Sequence, residues 1–315
     1  MATRDRPAAL HETLAHLPGQ TLGAPYETIV VDDGSKPPLV LEPMAGPLRR
    51  LIRLGGEGRS AARNAGAEAA RADVLVFIDD DITIGPGFVE DHLRAQKEWP
   101  GVLATGAIRL PDETALTPFG RFRRQLEQIG VPRGRGLTPR RNFCAAGNMS
   151  IRRAVFRELG GFDGELESGE DQDLALRHTA RGGLIAYIPE AAGLHRDEAL
   201  DLPRYCRRTE WGSEHMVAFC RRYPEWADNQ ERDRVNGPTR WGLEPLPASA
   251  KKTLKRLLAT ELGRTGLFAL AGALERGAPG SAALQSLYRA LLGLHTFRGH
   301  RRGLQRLASM SGGRP

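Results

Sequence analysis

The sequence predicts an α/β fold, a mixed and mainly parallel sheet flanked by helices, with a helical C-terminal extension. Three observations lead there. Helix-period and strand-period segments alternate from residue 7 to about residue 195, the pattern of parallel β/α wrapping. Short apolar runs end in carboxylates, most clearly Leu75, Val76, Phe77 and Ile78 before Asp79, Asp80 and Asp81. Beyond Leu202 the strand signal stops, and leucines recur at a 3.6-residue period.

Each element has its own signal. Residues 7–17 place apolar side chains at helical spacing, and residues 26–31 (YETIVV) read as a strand closed by the turn sequence Asp32, Asp33, Gly34, Ser35. A short strand at 50–54 and a glycine loop at 55–58 follow, with Ser60 as the expected cap of a helix reaching Arg71. A strand at 74–78, a helix at 88–97 and a strand at 102–110 come next. Residues 121–141 hold seven arginines opposed only by Glu127, read as a mobile basic loop around a short helix. Residues 142–151 read as a strand and 153–159 as a short helix. Ser168 is expected to start a helix through Arg181, before a last strand at 184–188. Residues 228–247, polar and proline-rich, read as a linker between a domain at 1–227 and the extension at 228–315.

Composition narrows the function classes. No apolar run approaches the ~18 residues of a membrane span. The N-terminus lacks a signal-peptide core, and Cys144, Cys206 and Cys220 lack metal-type spacing. A cytoplasmic protein with reduced thiols is expected. Net charge is +7, with arginine the dominant cation. A GC-rich genome accounts for that balance, and no nucleic-acid partner is expected.

The acidic clusters carry the chemistry. Ligands of open α/β sheets bind at the carboxyl ends of the strands, so Asp32 and Asp33 belong on one edge with Asp79, Asp80 and Asp81. Adjacent carboxylates repel when buried without a partner, and a divalent cation relieves them. Ser168 and Asp171 also fit a capping box, which leaves Asp171 two readings, one purely structural.

The segments VVDDGS (30–35), ARNAG (62–66), VFIDDD (76–81), AGNMSIRR (146–153), GGFD (160–163) and GEDQDLALR (169–177) occur in this order. Together they resemble the family 2 glycosyltransferases of GT-A fold, over residues 3–195. The resemblance implies a GT-A-like domain that moves a sugar, with inversion, from a nucleotide-sugar donor, a UDP-sugar first, to a saccharide, lipid-linked or small-molecule hydroxyl. It implies Mn²⁺ or Mg²⁺ as cofactor, held by Asp81 with Asp79 and His195. Asp32, Asp33 and Arg63 would meet the nucleotide base and Asp79 the ribose. Thr3, Asp80, Gly147 and Asn148 complete the donor-binding set. Asp171 would be the catalytic base, with Glu170 beside it.

The sequence departs from the family at its start. The usual first strand is missing, because the Thr3-x-x-Arg6-Pro7 segment already belongs after it. A start codon assigned too late is the favoured explanation. A degraded, inactive relative that binds sugar nucleotide or glycan without turnover, or a gap filled by another segment, are the others. A nucleotidyltransferase is the rival enzyme, disfavoured by the lack of a glycine-rich phosphate loop. The basic C-terminal helices are read first as core or dimer packing. Contact with the inner face of a membrane is the second reading.

Overall fold

The computed structural model describes residues 1–41, 48–197, 201–239 and 241–311. In chain order the elements are β1 (Ala2–Thr3), α1 (Pro7–Ala15), β2 (Glu27–Asp32), β3 (Leu48–Arg53), α2 (Arg59–Ala69), β4 (Val74–Ile78), β5 (Ile82–Ile84), α3 (Phe88–Glu98) and β6 (Leu103–Arg109). A 3-10 turn, Asp112–Leu116, leads into α4 (Pro118–Glu127). Then come β7 (Gly136–Leu137), β8 (Asn148–Arg152), α5 (Arg153–Glu158), α6 (Glu170–Ala180) and β9 (Ile185–His195). The remainder is helical: α7 (Leu202–Arg222), α8 (Ala227–Asn236), α9 (Leu246–Leu258), α10 (Glu261–Gly277) and α11 (Ala282–Ser311).

Two compact units divide the chain. Unit 1 is Met1–Pro111 with Gln128–Asp197, and unit 2 is Asp112–Glu127 with Glu198–Pro315. This differs from a boundary at 227/228: α7 packs along α11, and α4 joins Leu202, Cys206, Tyr288 and Leu291 in one apolar cluster. The expected linker also holds α8.

Unit 1 contains two sheets, one parallel in the order β1-β2-β3, the other mixed with the path β4-β8-β6-β9-β5 and β7 on β9. Parallel wrapping thus holds for the first sheet. In the second, only β6 and β9 run parallel. β5 was not anticipated, since three residues give too short a run to register as a period. Phe77, Phe156 and Phe162 form an aromatic cluster beneath β4, and Leu10, Leu14, Val30, Ile82 and Phe88 form the core on the other side.

Two helix starts differ from expectation. α2 begins at Arg59 after Gly58, and Ser60 is buried inside it rather than capping it. α6 begins after Gly169, whose φ of 85° favours glycine, and no capping box forms at Ser168. The arginines of 121–141 are also engaged. Arg123 is buried against Glu127 and the ring of Tyr205, and Arg124 pairs with Asp112. Arg135 bridges Glu98 and Glu190, and Arg140 lies over Phe143. Glu127 and Phe143 are local, but Tyr205, Glu98 and Glu190 are distant in sequence, so a local count of charge overstates how free these arginines are.

The first strand is present in short form. Ala2 and Thr3 pair in parallel with Val31 and Asp32, and the Met1 ammonium donates to Ile29 O at 2.8 Å. Its burial, opposed only in part by Asp79 and Asp80, lowers the amine to about 6. Behind it a cleft of about 320 Å³ separates the edge of β2 from the edge of β4, lined by Met1, Tyr26, Ile29, Val74, Val76 and Ile78 among others. On the described residues, β4 is bonded along its β8 edge alone.

A cleft bordered by two strand edges can accept a strand. Lengthening the N-terminus by five β-branched residues is therefore expected to stabilise unit 1. The net gain, after the entropy of ordering them, is about 2 kcal/mol, or about 4–8 °C in Tm. Differential scanning calorimetry of the two proteins checks this, and an unchanged Tm would show that the cleft does not take a strand.

Candidate active site

The site is assembled where β1, β2 and β4 end and α6 begins. Ile78 closes β4, and the next three carboxylates leave the strand in different directions. Asp79 accepts from Arg63 Nη2 at 2.7 Å, and its N–H donates to Gly147 O at 3.2 Å. Asp80 accepts from Thr3 Oγ1 at 2.6 Å and from Arg6 Nη1 at 2.9 Å. Asp81 accepts from Arg6 Nη2 at 2.8 Å and lies 3.2 Å from His195 Nε2.

Their electrostatics differ accordingly. For Asp79 burial is the largest influence and pushes the carboxyl up, but the charge and hydrogen bond of Arg63 prevail and hold it below its ordinary value. Asp80 is raised, chiefly by burial. Asp81 is opposed by burial, yet His195 and Arg6 bring it down to about 2. An ionised Asp81 beside an imidazole nitrogen is a hard, borderline-basic pair suited to Mg²⁺ or Mn²⁺. Their 3.2 Å separation is close to that of two adjacent ligands on an octahedral ion at ~2.1 Å. No set of three His, Cys, Asp or Glu donors converges among the described residues, so the donor set fits such an ion as a partial site. Asp79, turned to Arg63, is not in that pair.

Arg63 links this edge to the opposite wall. It is buried on α2, donates from Nη1 to Glu170 Oε1 at 2.9 Å, and lies over the Phe162 ring. Arg59 adds a second contact to Glu170 at 3.3 Å. Glu170 is therefore neutralised from two sides. The next residue, Asp171, accepts the Gln172 N–H at 2.8 Å. Burial first, then the charge of Glu170, raises it to about 6 despite Arg63 and Arg59. Asp173, two residues on, is engaged by Arg177 and braces α6.

The remaining expected residues fall in less direct places. Both carboxylates at the end of β2 face backbone donors: Asp32 accepts from Ser35 and Leu39 N–H, and Asp33 from Glu57 and Gly58 N–H at 2.7 and 2.9 Å. They tie two loops together where Gly34, at φ 82°, leaves no room for a Cβ against Gly56. Gly147 is constrained the same way, since a Cβ there would stand 2.6 Å from Asp79 Oδ2. The Asn148 side chain points into the core, bonding Ala107 O, Ala191 O and His92. Burial holds His92 neutral, down to about 4. Thus Thr3, Arg63, Asp79, Asp80, Asp81, Gly147, Glu170, Asp171 and His195 converge around one site, while Asp32, Asp33 and Asn148 shape its walls.

Arg6 is the residue that sequence reasoning missed. It holds two of the three carboxylates, and the Thr3-x-x-Arg6-Pro7 segment was the available signal. Arg59 was likewise missed, since it lay in the run taken as a loop and cap.

Comparison with known proteins gives this arrangement a context. The model of the family described as "Glycosyl transferase family 2" matches residues 1–160, from β1 through the three carboxylates to the end of α5. The chain is 28% identical over 207 residues to the pre-mycofactocin glycosyltransferase of Mycobacterium tuberculosis, covering 62% of this chain and 43% of that one. It is 27% identical over 207 residues to the uncharacterized glycosyltransferase YwdF of Bacillus subtilis, covering 62% and 72%. The chain thus spans under half the length of the mycobacterial relative. Among solved structures, residues 1–349 of S. aureus TarS align over 97% of this chain and 90% of that one, with TM-score 0.49 and 14% identity. With half of its length matched, and with the matched half supplying the acidic edge of the site, the chain belongs to glycosyl transferase family 2.

Proposed function

We propose that the protein transfers a sugar, with inversion, from a nucleotide-diphosphate sugar to a hydroxyl acceptor, with Asp171 as the base. UDP is the first nucleotide to test, and the acceptor is a saccharide, a lipid-linked glycan or a small molecule. The observation that carries the reading is the division of the carboxylates. Asp81 and Asp79 are kept ionised by cationic partners, whereas Asp171 is raised to about 6.

That division suits the reaction. Asp81 and His195 would hold Mn²⁺ or Mg²⁺, which when bound neutralises charge on a leaving diphosphate. Arg6, already at Asp80 and Asp81, is a second cation for the same purpose. Asp171, on the α6 side, accepts the proton of the acceptor hydroxyl as its oxygen bonds to the anomeric carbon and the carbon–phosphate-oxygen bond breaks. A base poised near 6 is ionised at neutral pH, yet is a stronger proton acceptor than an ordinary aspartate. Glu170 does not serve as well, because its carboxylate is already engaged by Arg63 and Arg59. A binding role without turnover is the second reading. The contact that favours it is Arg6 occupying both Asp80 and Asp81. Wild-type protein that binds UDP-sugars and never releases UDP would establish it.

Replacing Asp171 by Asn is expected to leave UDP affinity within about twofold and to lower kcat by about 10²–10⁴. Calorimetry and UDP-release assays read the two quantities, and full retained transfer would remove Asp171 from the mechanism. Replacing Glu170 by Gln acts instead on stability, lowering it by about 1–3 kcal/mol through the partners it leaves on Arg63 and Arg59.

Transfer requires ionised Asp171, so kcat is expected to fall as pH drops through about 6 and to level off above. The slope vanishes in Asp171→Asn. A wild-type rate that stays flat down to pH ~4, where an unperturbed aspartate titrates, would contradict the assignment.

His195→Ala is expected to weaken UDP binding in the presence of Mn²⁺ by about tenfold or more and to leave binding in EDTA unchanged. Equal losses in both media would mean that His195 contacts the nucleotide rather than an ion.

A further inference from the structure

Unit 2 carries a helix turned inside out. On α9, Lys252 is buried, bonded to Glu244 Oε2 at 2.5 Å and to Pro238 O at 3.1 Å. Leu246, Leu254 and Leu257 of the same helix are exposed. Helices of soluble proteins ordinarily do the opposite. The next helix continues the pattern: Leu262 and Leu270 of α10 are exposed, and every exposed residue from Leu262 to Ala273 is uncharged. Half of the large apolar side chains exposed among the described residues fall between Trp241 and Leu270. Scattered exposed leucines are ordinary, but large apolar side chains concentrated on one stretch of chain mark a contact surface.

The charge around this face indicates what covers it. Unit 2 holds 23 Lys and Arg against 14 Asp and Glu, and so carries the whole positive excess of the chain. Lys251 and Arg256 are exposed on α9 beside the leucines, and Arg276 is exposed at the end of α10. Lys255, on the same helix, is lowered to about 8, by burial first and then by Lys251 and Lys252. Two copies meeting through this face would bring like charges together. A sheet of anionic headgroups over acyl chains satisfies both features at once.

Among the described residues no single helix is long and apolar enough to cross a membrane. α9 and α10 have 13 and 17 residues, and the pair, apolar enough together, is bent by 86°. A span needs ~20 residues in line.

We infer that the exposed apolar face of α9 and α10 is a lipid-binding surface that seats on anionic membranes. Its leucines enter the acyl boundary, and Lys251 and Arg256 meet the headgroups. The surface is independent of the transfer reaction, so it stands or falls separately from the proposed activity.

Flotation of the full chain with vesicles tests it. The protein is expected to float with an equal mixture of phosphatidylcholine and phosphatidylglycerol, and about tenfold less with phosphatidylcholine alone. Leu257→Glu with Leu262→Glu should reduce flotation about tenfold or more while the thermal melt and UDP binding stay unchanged. Lys251→Ala with Arg256→Ala should weaken it about fivefold per cation at low salt and flatten its salt dependence. Absence of flotation with the mixed vesicles, or equal flotation by the glutamate variant, overturns the inference. So does a wild-type dimer in sedimentation that the glutamate variant abolishes without any vesicle binding, since that assigns the face to a second copy.

Discussion

The buried guanidinium of Arg63 holds the site together. It joins Asp79, at the end of β4, to Glu170, at the start of α6, with both contacts under 3 Å. Those two residues are far apart in sequence, so the bond closes the start of α6 against the sheet. An unpaired buried charge would be costly here. Local charge balance also follows from it. Arg63 and Arg59 serve Glu170, Arg63 serves Asp79, and Arg6 with His195 serves Asp80 and Asp81. Asp171 is left with a backbone N–H and a neighbouring anion. Burial first, and then that neighbouring charge, raises its proton affinity.

The edge that presents Asp79 is held from behind by a neutral polar network. Asn148 opens β8 and bonds carbonyls of Ala107 and Ala191, while His92 bridges Asn148 and Ser150. With both imidazole nitrogens engaged and burial lowering it to about 4, His92 stays uncharged through the physiological range. Network members that are fully satisfied in low dielectric are rigid. That rigidity passes to Gly147, whose carbonyl receives the Asp79 N–H and whose missing Cβ gives the Asp79 carboxylate its place.

Much of unit 1 was legible because its signals are local. The run from Val74 to Ile78 has the apolar content of a buried strand, and the adjacent aspartates announce a ligand edge whatever the fold. The register of β8 against β4 was not legible, because antiparallel and parallel partners leave the same apolar pattern in a short run. Arg63 shows the limit for site residues. Its motif placed it in the site, but whether it meets a base or two carboxylates depends on Glu170, 107 positions away. Arg6 is the same case more sharply, since an arginine near an N-terminus has no periodicity to assign it a partner.

The C-terminal helices show a different limit. A 3.6-residue period in Leu254, Leu257 and Leu262 establishes that an apolar face exists, but it carries no sign for inside or outside. The sign is set by what else the helix must bury. In α9 the aliphatic stem of Lys252 runs inward to Glu244 and Pro238 O, Ser249 is buried on Glu244, and Lys255 bonds Val235 O and Asn236; with this polar face turned inward, Leu254 and Leu257 face outward. A lysine can be buried only where a carboxylate and a carbonyl wait for its ammonium. Lys252 is thus a stronger constraint on helix orientation than the leucines, whose burial is favourable by a few kcal/mol at most and can be supplied by another apolar medium. The orientation of this helix follows from its charge, and its exposed leucines follow from its orientation.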